Sequence, residues 1–177
     1  MRVLILVCLL AANIPLGAIT VKPISFTDLV TESTAVVHGR VAEVRGQWTA
    51  DRRGIDSLLS LDVVGYLKGS LGDRVTVRVP GGQIGSMVNL IPGAPRFSEG
   101  DEVVLFLKAE GPAIPIVTGT TQGVYRVTPD PRTGATLVVP PVVDVMVEGR
   151  VVRGDLNRRP LPLDAFTAAV KRVQVAR

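Results

Sequence analysis

Hydrophobic and polar positions alternate most clearly over residues 59–82. Leu59, Leu61, Val63, Gly65 and Leu67 fall on one face of an extended segment, with Ser60, Asp62, Tyr66 and Lys68 on the other. After a Lys-Gly-Ser-Leu-Gly-Asp turn that contains Gly69, Val75, Val77 and Val79 alternate with Arg74, Thr76 and Arg78. A period of two over this length marks a half-buried antiparallel pair, with Leu61, Val63, Val75 and Val77 as its expected core. A preceding strand is read over residues 35–45. There Val37, Gly39 and Val41 face inward and Val44 breaks the parity. A β-bulge at Gly39 or its neighbours accounts for the break and supplies the bend that a small barrel needs to close. Residues 46–56 form the polar hairpin loop between these strands, with Trp48 at its edge.

Further along, Glu102–Lys108 is a near-continuous apolar strand, the pattern of one covered on both faces. Residues 124–128 and 135–139 flank the turn 129–134 and make a hairpin, and a β ribbon over 142–152 turns at Glu148-Gly149-Arg150. Pro162 begins a helix whose stripe is Leu163, Phe166, Val170 and Val173; Asp164 near its start and Lys171-Arg172 near its end match the helix dipole. A short N-terminal helix is read from Ser25 as cap and Asp28 three residues on, with Phe26, Leu29 and Val30 packing on the sheet as a lid. Between the strands, residues 81–98 are rich in glycine and proline yet carry Ile84, Met87, Val88, Leu90, Ile91 and Phe97. One reading is a loop folded over a barrel mouth, its apolar side chains plugging the core. The other is a partner-binding loop on a rigid scaffold, with Ile84, Met87, Val88, Leu90 and Ile91 as candidate binding residues.

Composition fits one β-rich domain: 46% of the 177 residues are hydrophobic and 20% charged. Arg2, the apolar run 3–12 and the small residues around Gly17-Ala18 read as a secretory signal peptide over residues 1–18, cleaved after Ala18. Asn13 and Pro15 interrupt the run short of the ~20 residues a bilayer span needs, and no later stretch is long and apolar enough to span. Residues 19–177 then form a single domain, with the β ribbon and helix at about 140–177. The location is exported: periplasm, cell envelope or outside the cell. Cleavage removes Cys8, the one cysteine, so disulfide frameworks and Cys-ligated metals fall away. The +4 net charge is unevenly placed. Residues 19–144 carry 12 Lys/Arg against 13 Asp/Glu, and residues 145–177 carry 7 against 3. This basic tail is a solvated face or a contact for an anionic envelope surface or acidic partner.

Candidate chemistry is sparse. His38, the one histidine, lies on the first strand with its side chain expected on the outer face, and no catalytic role is expected of it. Zinc sites built from several His or Cys are excluded by count. Glu99, Asp101 and Glu102 are the one close carboxylate cluster, without the spacing of an EF-hand loop. Gly81-Gly82 and Gly85 lack the Lys-Ser/Thr of a phosphate-binding loop. Arg40, Arg45, Arg74 and Arg78 lie on strands, but Tyr66 and Tyr125 are the only strand aromatics expected outward, too few for a nucleic-acid stacking surface. No cofactor, metal, catalytic residue or nucleic-acid partner is therefore expected.

Taken in order, Asp28-Leu29-Val30, Ala35-Val36-Val37-His38-Gly39-Arg40-Val41, Leu67-Lys68-Gly69, Gly93-Ala94-Pro95-Arg96-Phe97, Gly100-Asp101-Glu102-Val103-Val104-Leu105-Phe106-Leu107 and Gln122-Gly123-Val124-Tyr125 resemble a family of uncharacterised exported bacterial domains. The same strand and Lys-Gly layout is similar to the netrin-like OB barrel of tissue inhibitors of metalloproteinases. That resemblance implies a five-stranded, partly open Greek-key barrel. It does not imply their mechanism, which uses an N-terminal cysteine on the protease zinc; no cysteine follows Ala18. The expected fold is mainly β, a small OB-like Greek-key barrel with a short N-terminal helix and a C-terminal helix. The expected function is an exported, non-catalytic binding module for a protein or envelope component. The alternatives are a metalloprotease inhibitor-like protein acting through its N-terminus or barrel edge, and a hydrolase using two of Glu99, Asp101, Glu102 and Asp130.

Overall fold

Ser25 opens the first helix as the sequence indicates. Its Oγ accepts the Asp28 N–H at 3.0 Å and donates to Asp28 Oδ2 at 2.7 Å, starting α1 (Phe26–Glu32). The structure, a computed structural model, describes residues 23–142, 144–147, 150–153 and 158–176. The leader read over residues 1–18 lies outside them. After α1 come β1 (Ala35–Trp48), β2 (Ile55–Lys68) and β3 (Arg74–Pro80), the short pair β4 (Gly82–Ile84) and β5 (Met87–Asn89), then β6 (Glu102–Lys108) and β7 (Ile116–Val117). A 3-10 turn (Thr120–Gly123) leads into β8 (Val124–Pro129) and β9 (Thr136–Val139). The chain ends in β10 (Asp144–Val147), β11 (Arg150–Arg153), β12 (Leu161–Pro162) and α2 (Leu163–Val175). β10 and β11 pair as the ribbon expected there.

The main sheet runs β1-β2-β3-β7-β6-β8-β9-β12, and β6 also pairs with β1. Five strands, β1-β2-β3-β7-β6, therefore close on themselves as an OB-like Greek-key barrel. Its seam is thin. β3 meets β7 in parallel at Arg78↔Ile116, with the Arg78 N–H donating to the Pro115 carbonyl at 2.8 Å. The strand completing the ring is the two-residue β7, while β8 extends the sheet beyond it.

Two apolar layers share β6. Val103, Leu105 and Leu107 point into the barrel with Val37, Val41, Leu59, Leu61, Val75 and Val77. Val104 and Phe106 point outward, beneath Leu29 and Val30 of α1 and Phe166 and Val170 of α2. This double burial is why Glu102–Lys108 shows no alternation. The Phe106 ring meets those of Tyr125, Phe26 and Phe166 at centroid distances of 5.5, 6.0 and 6.3 Å. Lys68 Nζ ties α1 to the barrel by donating to the Val30 and Ser33 carbonyls, each at 2.6 Å, where the helix end has spare acceptors.

The register corrects the strand phases. β2 carries two extra residues, Val64 between the pairs Gly39↔Val63 and His38↔Gly65 and Leu67 between Val37↔Tyr66 and Val36↔Lys68; β1 carries an extra Ala42 between Val41↔Leu61 and Glu43↔Ser60. The Ala42 bulge restores Val44 to the interior. The bulge beside Gly39 lies in the partner strand. One inserted residue turns every later side chain to the other face. Beyond Val64, Tyr66 accordingly packs against the barrel core instead of facing out, and Leu67 joins the outer layer. β1 also runs on to Trp48, so the hairpin loop is 49–54 rather than 46–56.

Candidate functional site

Residues 81–98 are not an unstructured connection. Gly85-Ser86 forms a two-residue turn, with Gly85 at φ +57°, and pairs Ile84↔Met87, Gln83↔Val88 and Gly82↔Asn89 into a hairpin. A Gly-Ser pair between apolar residues is a hairpin signal that a reading for long-strand alternation passes over. The hairpin is pinned to the β1–β2 end of the barrel. Gly46 packs so closely that a Cβ there would lie 2.0 Å from the Gln83 carbonyl oxygen. Ser57 Oγ donates to the Gly81 carbonyl at 2.7 Å, and Asn89 Nδ2 to the Ile55 carbonyl at 3.3 Å.

The plugging expectation is corrected here. Met87, Val88, Leu90 and Ile91 are 52, 56, 65 and 43% exposed, and Ile84 is half-buried. Phe97 is the residue of this segment that packs on the barrel core. The reason is the pairing itself: it directs Gln83 and Val88 to one face and Ile84 and Met87 to the other, so they cannot converge on the mouth. The following loop is also tied down. The Arg126 guanidinium lies over the Phe97 ring at 5.1 Å, pairs with Asp101 and donates to the Arg96 carbonyl, while Thr121 Oγ1 donates to the Gly93 carbonyl.

Two concavities flank the hairpin. On the Val88 side a cleft of about 300 Å³ is floored by Val44, Leu59 and Val79 and walled by Leu90, with Arg96 also lining it. On the Ile84 side, Arg45, Trp48 and Arg52 line a shallower groove. No carboxylate lines either. Asp51, in the β1–β2 turn, is turned inward on its own loop. The Thr49 hydroxyl, donating at 2.6 Å, and then the Arg53 N–H hold its carboxyl below the usual carboxylate range. Sequence reading missed the arginine–tryptophan groove because the hairpin crossing brings Ile84 to it.

The other candidates are drawn apart. His38 does lie on the outer face, yet it is 7% exposed, with Nε2 2.8 Å from Glu102 Oε1. Arg40 Nη2 donates to Glu102 Oε2 at 3.0 Å. Asp101 turns to Arg126 and to the Ser98 N–H, so Asp101 and Glu102 are directed to different cations. Asp130 accepts the Arg132 N–H at 2.8 Å within its own turn. None of Glu99, Asp101, Glu102 and Asp130 lines the cleft or the groove. Tyr125 is buried beneath the helices, and the Tyr66 hydroxyl donates to the Gly72 carbonyl at 2.7 Å, so neither is the outward aromatic expected. Among the described residues, no group of three or more His, Cys, Asp or Glu is placed to hold a metal ion. No helix there is long and apolar enough to cross a membrane.

Fold and surface together define a small OB-like barrel that carries an ordered apolar hairpin at one end. Comparison of the chain with protein-family models, curated proteins and solved structures finds no match.

Proposed function

We propose that this protein is an exported, non-catalytic binding module that engages a protein or envelope component through residues 84–97. One observation carries the reading: Met87, Val88, Leu90 and Ile91 stand in solvent on a segment held at Gly46, Ser57 and Phe97. Several exposed apolar side chains gathered on one ordered segment mark a candidate recognition surface. Each side chain is already about half covered, so burying the rest against a partner contributes roughly half of the about 1.5–3 kcal/mol that burial of a fully exposed one is worth. Export is supported by the leader pattern of Arg2, the apolar run 3–12 and Gly17-Ala18.

The variant Leu90→Ser/Ile91→Ser tests this. Both residues are exposed, so the thermal midpoint should stay within about 1–2 °C of wild type, a surface-substitution effect. Immobilised wild type should retain specific components from envelope extracts, and the variant should lose them. A folded variant that retains the same components overturns the proposal.

A further inference from the structure

We propose that the partner of this surface is an anionic lipid bilayer, an inference that rests on the binding-module reading above. In this arrangement Met87, Val88, Leu90 and Ile91 seat in the interfacial layer, and Arg45, Arg52 and Arg96 meet the lipid phosphates.

Three observations lead there. The first is shape. Exposed apolar side chains occupy both faces of the hairpin, Met87 on one and Val88 on the other, and solvent-open concavities flank it on both sides. A bilayer interface can receive apolar side chains from both faces of such a hairpin at once. The second is charge. Residues 74–98 contain no Asp or Glu, and each concavity has arginine in its lining, Arg96 on one side and Arg45 with Arg52 on the other. Of the neighbouring carboxylates, Asp51 is held in its own turn and Asp56 lines a separate cleft beside Arg78; Glu43 shares the outer face of β1 with Arg45 and Glu99 follows Arg96 by three residues, but neither lines either concavity. Arginine beside apolar side chains suits the headgroup layer, where the long stem stays among carbon and the charge reaches phosphate. Trp48, partly exposed in the same groove, is the side chain type that settles at this depth.

The third is the backbone. A segment entering the interface must satisfy its own polar groups. β4 and β5 pair with each other, the Ala94 N–H donates to the Ile91 carbonyl at 3.1 Å, and Pro92 and Pro95 carry no N–H. The hairpin thus meets its own ladder and the loop after it exposes fewer N–H donors, which lowers the cost of approaching the acyl boundary.

The test uses the chain from Ile19 onward, which contains every described element, in co-sedimentation with vesicles. The expected result is binding to mixed phosphatidylglycerol/phosphatidylcholine vesicles, weakened by added salt, and little binding to phosphatidylcholine alone. Leu90→Asp should lower the partition coefficient on the order of tenfold to a hundredfold, and Arg45→Gln/Arg52→Gln about thirtyfold. Lys171→Gln/Arg172→Gln, which removes the same charge from exposed positions on α2, should leave it within about twofold of wild type, because surface attraction falls off within a Debye length. All three variants are read alongside their circular dichroism to confirm folding. The proposal is overturned by absence of binding to the anionic vesicles, by folded Leu90→Asp binding like wild type, or by the α2 pair losing as much as the arginine pair. If vesicles fail while envelope proteins are still captured through Leu90 and Ile91, the lipid assignment falls and the binding-module reading stands.

Discussion

Phe106→Ala is expected to lower the unfolding free energy by about 3–5 kcal/mol, the cost of truncating a buried aromatic ring. Phe106 is fully buried in the outer layer, and its ring touches those of Phe26, Tyr125 and Phe166. Removing it opens a cavity beneath both helices at once. α1 has seven residues and α2 thirteen, and helices of that length depend on packing to persist. The variant should therefore shift its urea midpoint down and lose helical circular dichroism earlier than sheet signal. Leu61→Ala, inside the barrel, should cost about 2–5 kcal/mol without that helical signature. An unchanged urea midpoint for Phe106→Ala would show that the outer layer contributes little to the fold.

The second large effect belongs to Gly46→Val, which separates the hairpin from its support. The Cβ at this position would sit 2.0 Å from the backbone oxygen of Gln83 and 2.9 Å from Ile84 Cγ1. A backbone oxygen cannot rotate away as a side chain tip can, so β4 must lift off β1. Crowding of this kind costs about 1–3 kcal/mol. The amides of residues 82–89 should lose their protection from hydrogen exchange, and capture of the envelope component should fall to background while β2 and β6 stay protected. Wild-type protection across 82–89 in the variant would mean that the hairpin is not held through Gly46.

Much of the fold was readable from local pattern. The alternation around Leu61 and Val77, the unbroken run of Glu102–Lys108 and the Ser25–Asp28 cap each lead to the element observed. What escaped depends on partners distant in sequence. The bulge at Val64 arises from pairing with β1, so no periodicity within β2 announces that Tyr66 turns inward. β7 has two residues and is defined as a strand by meeting β3 and β6. At the candidate surface, Met87, Val88, Leu90 and Ile91 could be named from their apolar character in a glycine- and proline-rich stretch. Whether they were buried or exposed could not, because that follows from where the hairpin lands on the barrel, set by the close contact at Gly46. The groove of Arg45, Trp48 and Arg52 beside Ile84 was illegible for the same reason.

That recognition resides on a pinned apolar hairpin and its loop is tested most directly by deuterium uptake of the free protein and of the protein bound to its captured envelope component. Uptake is expected to slow in peptides covering residues 84–97 and to stay unchanged in β6 and α2. Protection confined to α2 or the β10–β11 ribbon, with residues 84–97 exchanging as in the free protein, would contradict it.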